Sequence, residues 1–100
     1  MMTSELRMKS YSFLLGRKRS DIDIIANVLV EADKGTKKTH ILYRCNLSHR
    51  QLQVYLQFLH DVGFLVSYAN NEGSKMKYFR TTPKGLEFLD AYRTLKRLMS

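Results

Sequence analysis

Residues 37–63 read KKTHILYRCNLSHRQLQVYLQFLHDVG. Ile41, Leu42 and Cys45 are spaced as the buried face of a short helix. Asn46-Leu47-Ser48 interrupts that pattern and supplies the turn. Ser48 followed three residues later by Gln51 is a capping box, so a second helix starts here. Leu52, Tyr55, Leu56 and Leu59 form its core stripe, which leaves Arg50, Gln53, Val54 and Gln57 on the opposite face. Gly63 ends it. A short apolar helix, a capped turn and a longer amphipathic helix make a helix-turn-helix.

The flanks complete the pattern. Ser20 is a good N-cap, and Asp21 and Asp23 suit the positive end of a helix dipole. Ile22, Ile25, Ala26 and Leu29 then predict one buried stripe, and Gly35 stops this first helix. Thr36 or Thr39 is positioned to cap the short helix that follows. Beyond Gly63, residues 64–69 and 76–81 are rich in aromatic and β-branched types, with turn chemistry in Asn70-Asn71-Glu72-Gly73-Ser74 between them. This predicts a β-hairpin placed as a wing. Thr82-Pro83 opens a last helix. Gly85, Phe88, Tyr92, Leu95 and Met99 run along it as a seam of about two heptads, with Leu86 and Leu89 docking it on its own domain. Residues 1–19 read in two ways: a helix with Met8, Tyr11 and Leu15 on one face and Gly16 at its end, or a basic arm ending in Arg17-Lys18-Arg19. The expected architecture is mainly α with a small β-hairpin. Its parts are a basic extension at 1–19, a winged helix-turn-helix at 20–82 and a C-terminal dimerisation helix at 83–100.

One hundred residues, 44% of them hydrophobic, suit a single modest core. The net charge of +8 is the footprint of a chain that meets nucleic acid or an anionic membrane. Its distribution is uneven. Residues 1–19 hold five basic side chains against one acidic, and residues 70–100 hold seven against three, whereas residues 20–69 balance five against five. No apolar run approaches the roughly 20 residues of a membrane span, and the N-terminus lacks the long apolar stretch of a signal peptide. With one cysteine, Cys45, there is no internal disulfide, which fits a reducing cytoplasm.

The chemistry expected of this surface is recognition. In a helix-turn-helix the second helix enters the major groove with its first residues at the base edges. Ser48, His49, Arg50, Gln53 and Gln57 are the candidates there, arginine for guanine and glutamine for adenine. Lys75, Lys77 and Arg80 on the second wing strand are placed for phosphates or the minor groove, although lysine on an edge strand also discourages sheet pairing. Lys37 and Lys38 open the short helix, where backbone N–H groups also favour phosphate. Along the last helix, Phe88, Tyr92, Leu95 and Met99 are the candidate dimer contacts. A helix of about 18 residues is roughly 27 Å long, more than a small three-helix core covers.

Cys45 and His49 are spaced like a metal pair but no second pair accompanies them, and His40 and His60 have no partner pattern. No Gly-rich phosphate loop or catalytic constellation occurs. Neither a metal, a cofactor, a small-molecule substrate nor an enzymatic activity is expected.

Residues 35–65, GTKKTHILYRCNLSHRQLQVYLQFLHDVGFL, followed by 79–92, FRTTPKGLEFLDAY, resemble an archaeal winged helix-turn-helix DNA-binding family. Its members include ArnR-like regulators and small basic chromatin-associated dimers. The resemblance is carried by Lys38-Thr39-x-Ile41, Asn46-Leu47-Ser48, Gln51-Leu52-x-x-Tyr55-Leu56 and Thr82-x-Lys84-Gly85, and spans about residues 20–95. It implies a last helix that pairs antiparallel, as a coiled coil, with that of a second copy. The 19-residue extension departs from the small chromatin members. The expectation is a homodimer on double-stranded DNA in the cytoplasm, as a transcriptional regulator or a nucleoid-associated protein. A winged helix used for protein–protein contact inside a larger assembly is the rival, and an N-terminal segment on an anionic membrane ranks last.

Overall fold

The computed structural model describes residues 20–69, 73 and 76–100. Helix α1 spans Asp21–Glu31 and strand β1 Thr36–Lys37. The helix-turn-helix is α2, Lys38–Arg44, and α3, His49–Asp61. Strands β2, Leu65–Ala69, and β3, Lys77–Thr81, precede α4, Pro83–Met99. The expected readings of residues 1–19 and of Lys75 lie outside the described residues.

The sheet has one strand more than the hairpin predicted. Its order is β1-β3-β2, antiparallel throughout. Thr36 stands opposite Phe79 and Lys37 opposite Tyr78. Two residues are too few for an alternating pattern, so β1 left no periodic trace in the sequence. The cap expected at Thr36 or Thr39 is corrected accordingly. Thr36 belongs to the strand, Thr39 lies inside α2, and the N-cap is Lys37, whose side chain makes no capping hydrogen bond. Gly35, at φ 91°, turns the chain from α1 into β1.

The turn between α2 and α3 has a specific construction. Asn46 adopts φ 55°, the left-handed conformation that asparagine tolerates better than most residues. Its N–H donates to the Tyr43 carbonyl, and the Leu47 N–H reaches back to Leu42. This paired closure is a Schellman motif, and Leu42 and Leu47 are both buried. The capping box follows at once. Ser48 Oγ accepts from the Gln51 N–H at 3.1 Å while Gln51 Oε1 accepts from the Ser48 N–H at 2.9 Å. The α3 exit repeats the design with Gly63 at φ 82°, its N–H on His60 and that of Phe64 on Leu59.

The core is built from Val28, Leu29, Ile41, Cys45, Leu52, Leu59, Leu65 and Leu89, all essentially inaccessible. Two predicted core positions are corrected. Ile22 is exposed, because it sits in the first turn of α1. Ile24 and Val28 are buried instead, widening the stripe where α1 packs on α2, β3 and α4. Leu86 is exposed also, and Leu89 alone of that pair anchors α4. Thr81 ties the layers together: its hydroxyl donates to the Leu29 carbonyl at 2.6 Å and its N–H to Ala32 at 3.0 Å.

A polar hub joins the start of α1 to α4. The Tyr92 hydroxyl donates to Asp23 Oδ1 at 2.5 Å, and Lys96 Nζ lies 3.7 Å from the same oxygen. Burial would raise the Asp23 carboxyl. The Tyr92 and Ser20 hydrogen bonds and the Lys96 charge outweigh it and hold the carboxyl below its usual range. Burial and the bonded carboxylate push Tyr92 up from 10.0 to about 12. A raised tyrosine stabilises the fold fully below its unfolded value, and that contribution vanishes as pH climbs from 10.0 to about 12. The depressed carboxyl contributes above 3.8 and loses its contribution as pH falls through its lowered value. Tyr92→Phe is expected to cost about 1–2 kcal/mol at neutral pH, as for a hydrogen bond to a charged group that is partly solvated. In urea titrations across pH, the gap between variant and wild type should close above 10.0 and below 3.8. A gap independent of pH would assign the loss to packing instead.

Candidate nucleic-acid interface

Helix α3 shows two flanks to solvent. On one flank, Gln53 and Gln57 line a groove of about 530 Å³ whose far wall is the wing. Lys37 and Lys38, brought in by β1 and the start of α2, line it as well, as do Met76 and Lys77 of the wing. Five of the predicted contact residues, scattered between positions 37 and 77, therefore face one concavity. Phe79 lines the same groove from the sheet.

Strand pairing explains which wing residues point there. Lys77 stands opposite Ala69 and Phe79 opposite Ser67, on one face of the sheet. Arg80 stands opposite Val66, three residues from Lys77, and an odd step in a strand reverses the face. Its guanidinium lies 5.2 Å from the centre of the Tyr68 ring. Arg80 also pairs toward the base of the hairpin, three residues before the end of β2, whereas Lys77 pairs with the last residue of that strand. The register thus separates Arg80 from Lys77, which the sequence reading groups together on the second wing strand.

The other flank of α3 carries Arg50, Val54 and Phe58, beside Asp21 and Ile25 of α1. Arg50 and His49 occupy the first turn and are exposed. Val54 and Phe58 are exposed too, an apolar strip on a helix face expected to be polar. Ser48 is committed to the capping box, so its backbone and hydroxyl shape the turn. Gln57 Nε2 donates to Asp61 Oδ1 at 2.9 Å.

The electrostatics of the surface follow from where the acids are engaged. Glu31 meets His40 at 3.1 Å and Arg44 at 3.5 Å. Asp21 accepts from Tyr55, and Asp23 is held in the α4 hub. Among the described residues, Lys37, Lys38, Arg50 and Lys77 form no ion pair. None of the groove's lining residues is acidic. Its charge is therefore available to an anion. No group of His, Cys, Asp and Glu among the described residues is arranged to hold a metal ion.

The groove residues that sequence reasoning missed include Thr39, His60, Ser67, Met76 and Phe79. No pattern marks them. Each becomes part of the surface only because α2, β2, β3 and the end of α3 converge.

A family model of winged helix-turn-helix proteins matches residues 18–100. The chain belongs to the winged helix-turn-helix family. Among solved structures, a winged helix-turn-helix of this arrangement recurs in Sso10a-2, described as a DNA-binding protein from Sulfolobus solfataricus. That pair superposes with a TM-score of 0.71 at 21% identity, covering 81% of this chain and 82% of the other. A PadR family transcription regulator from Clostridium difficile gives 0.69 at 20% identity, covering 76% and 88%. MepR of S. aureus in complex with DNA gives 0.68 at 15% identity, covering 99% and 82%. At these identities the likeness is one of fold. No curated protein matches the chain significantly. No helix among the described residues is long and apolar enough to cross a membrane.

Proposed function

We propose that this winged helix-turn-helix protein binds double-stranded DNA as a homodimer, regulating transcription or organising the nucleoid in the cytoplasm, and has no catalytic role. The observation that carries the reading is the convergence of Lys37, Lys38, Lys77, Gln53 and Gln57 on one concave, acid-free face. In this arrangement α3 enters the major groove with His49, Arg50 and Gln53 at the base edges. The duplex backbone crosses between α3 and the wing, its phosphates facing the three lysines. Solved neighbours of the same fold are described as DNA-binding, and one was solved on DNA, which supports the assignment. The second copy is met through Leu95, Leu98 and Met99, which stand 46%, 72% and 58% exposed at the end of α4. Phe88 stacks between Phe64 and Tyr92, and Tyr92 bonds Asp23. These two candidates of the seam thus serve their own domain first.

The test is a salt titration of duplex binding. If a dimer neutralises about six phosphates, log K falls with log salt at a slope near −5. Lys77→Gln and Lys38→Gln are each expected to make that slope shallower by about one or two, since a dimer loses two charges. A response flat in salt would overturn the reading. It would favour the rival supported by the exposed Val54 and Phe58 strip, a winged helix that contacts another protein.

Specificity is a separate expectation. Arg50→Ala should lose about 1–3 kcal/mol on a selected site and much less on random duplex, because a bidentate guanine contact disappears. Equal losses on both duplexes would place Arg50 on phosphate and favour the nucleoid role.

A further inference from the structure

The wing sheet has two faces, and the groove draws on one of them. Leu65, Ser67 and Ala69 pair with Thr81, Phe79 and Lys77, and this face joins the core through the buried Leu65 and Thr81. Side chains alternate along a strand, so Val66 and Tyr68 of β2 share the other face with Tyr78 and Arg80 of β3. The two tyrosines stand directly opposite each other, their ring centres 5.8 Å apart and their planes 31° from parallel. The Arg80 guanidinium lies 5.2 Å from the centre of the Tyr68 ring. Tyr68 is laid across the sheet, not upright on it. Its hydroxyl reaches Gly35, just ahead of β1 on the far side of β3, so closely that a side-chain carbon at Gly35 would collide with it. Lys37 pairs with Tyr78 from the edge strand, so its long side chain borders both this face and the groove. None of these side chains is acidic.

A cross-strand aromatic pair stabilises a hairpin wherever it occurs. Rings laid along one sheet face among cations do more, because unpaired bases stack on such rings while the cations meet phosphate. A duplex cannot use the rings, since its bases are already stacked on one another. We propose that this outer face of the sheet binds an unpaired strand of DNA. Bases stack on Tyr78 and Tyr68, and phosphates meet Arg80 and Lys37. Val66, 45% exposed and opposite Arg80, supplies an apolar contact for a thymine methyl, which uracil lacks. The inference does not rest on the duplex reading, because Tyr68, Tyr78 and Arg80 lie on the sheet face opposite Lys77 and Phe79.

The experiment titrates the full chain with an oligothymidylate octamer, an abasic octamer of equal charge, an oligouridylate octamer and a hairpin duplex. Tyrosine fluorescence reads stacking directly, since the chain has no tryptophan. Backbone amide NMR locates the contact. The expected result is saturable quenching by oligothymidylate, with shifts at Tyr68, Tyr78 and Arg80 and none at Gln53 or Gln57. The abasic octamer should bind at least about tenfold more weakly, the worth of a stacked base. Tyr78→Leu, which keeps an apolar side chain on the strand, should weaken oligothymidylate about tenfold, and Tyr78→Phe should leave it unchanged. Arg80→Gln, a change on an exposed side chain, should make the salt slope shallower by about 0.7. Oligouridylate should bind more weakly than oligothymidylate.

Absent saturation, equal binding of the abasic octamer, full affinity in a folded Tyr78→Leu or shifts confined to α3 would overturn the site. Equal or tighter binding of oligouridylate would overturn its assignment to DNA. If Tyr78→Leu loses its helical signal, the abasic octamer and Arg80→Gln still decide. Duplex binding without octamer binding defeats this inference alone, and octamer binding without duplex binding defeats the duplex reading alone.

Discussion

Leu95→Asp is expected to sediment as a monomer at tens of micromolar, where the wild type is expected to sediment as a dimer, and to bind DNA about a hundredfold more weakly. The first effect follows from geometry. Leu95 and Met99 lie about 18 and 24 Å along α4 from its first residue, at 1.5 Å per residue. The contacts of α4 with its own domain centre on Gly85, Phe88, Leu89 and Tyr92. Past Lys96, which still reaches Asp23, the apolar side chains Leu98 and Met99 stand in water, as Leu95 does one turn earlier. In a two-fold contact one substitution is felt twice. Two carboxylates would then enter an apolar seam, each costly to desolvate without a partner. The second effect follows from linkage, because one bound half of a dimer holds the other half near its site, and such avidity is worth about 10²–10⁴. Sedimentation velocity with circular dichroism reads both. A monomeric wild type would remove the interface, and a variant that loses its helical signal would show Leu95 to be part of the domain core.

Gly85→Ala is the largest stability change expected from a single methyl group. Alanine normally gains about 1 kcal/mol over glycine inside a helix. Here the new Cβ would lie 2.6 Å from the Phe64 carbonyl oxygen and 2.7 Å from Thr81 Cγ2. Neither neighbour is free to retreat. The Phe64 carbonyl accepts the Thr82 N–H at 2.9 Å, and the Thr81 side chain is fixed by its hydroxyl on Leu29. Helix α4 must move off the β2–β3 layer, so the net loss is about 1–3 kcal/mol, the usual cost of overpacking. For a domain of this size each kcal/mol lowers Tm by about 4–8 °C. An unchanged or higher Tm would show that α4 docks loosely enough to slide.

Glycine at 85 also illustrates what the sequence discloses. Its spacing with Phe88 and Tyr92 reads as the head of an interhelical seam, and spacing cannot tell which partner a seam meets. The structure gives Gly85 to the Phe64 carbonyl and leaves only the last turns of α4 open. Local signals were legible wherever the chemistry is local. Ser20, the Ser48–Gln51 box, Gly63 and Thr82-Pro83 each mark an element boundary through hydrogen bonds spanning a few residues. Strand β1 was not, because Thr36 and Lys37 become a strand only through pairing with Phe79 and Tyr78, about forty residues away. The site shows the same division. Its candidate cations and amides were named from composition and helical phase. The separation of Arg80 from Lys77 required the register of β2 on β3, and the groove itself required the tertiary approach of α3 to the wing.

The Asp23–Tyr92–Lys96 hub gives α4 a further meaning. It fastens the middle of the helix to the body that carries α3, so orientation cannot be lost between them. In a dimer joined through the tail of α4, the two recognition helices would then be set apart by a rigid lever, with no hinge to absorb a mismatch. Target sites would be chosen by distance as well as by base sequence, since dimeric readers of this kind engage half-sites about one helical turn of DNA apart. Four residues inserted after Lys96 would lengthen each arm by about 6 Å. Such a protein would keep every contact residue and yet measure out a different operator.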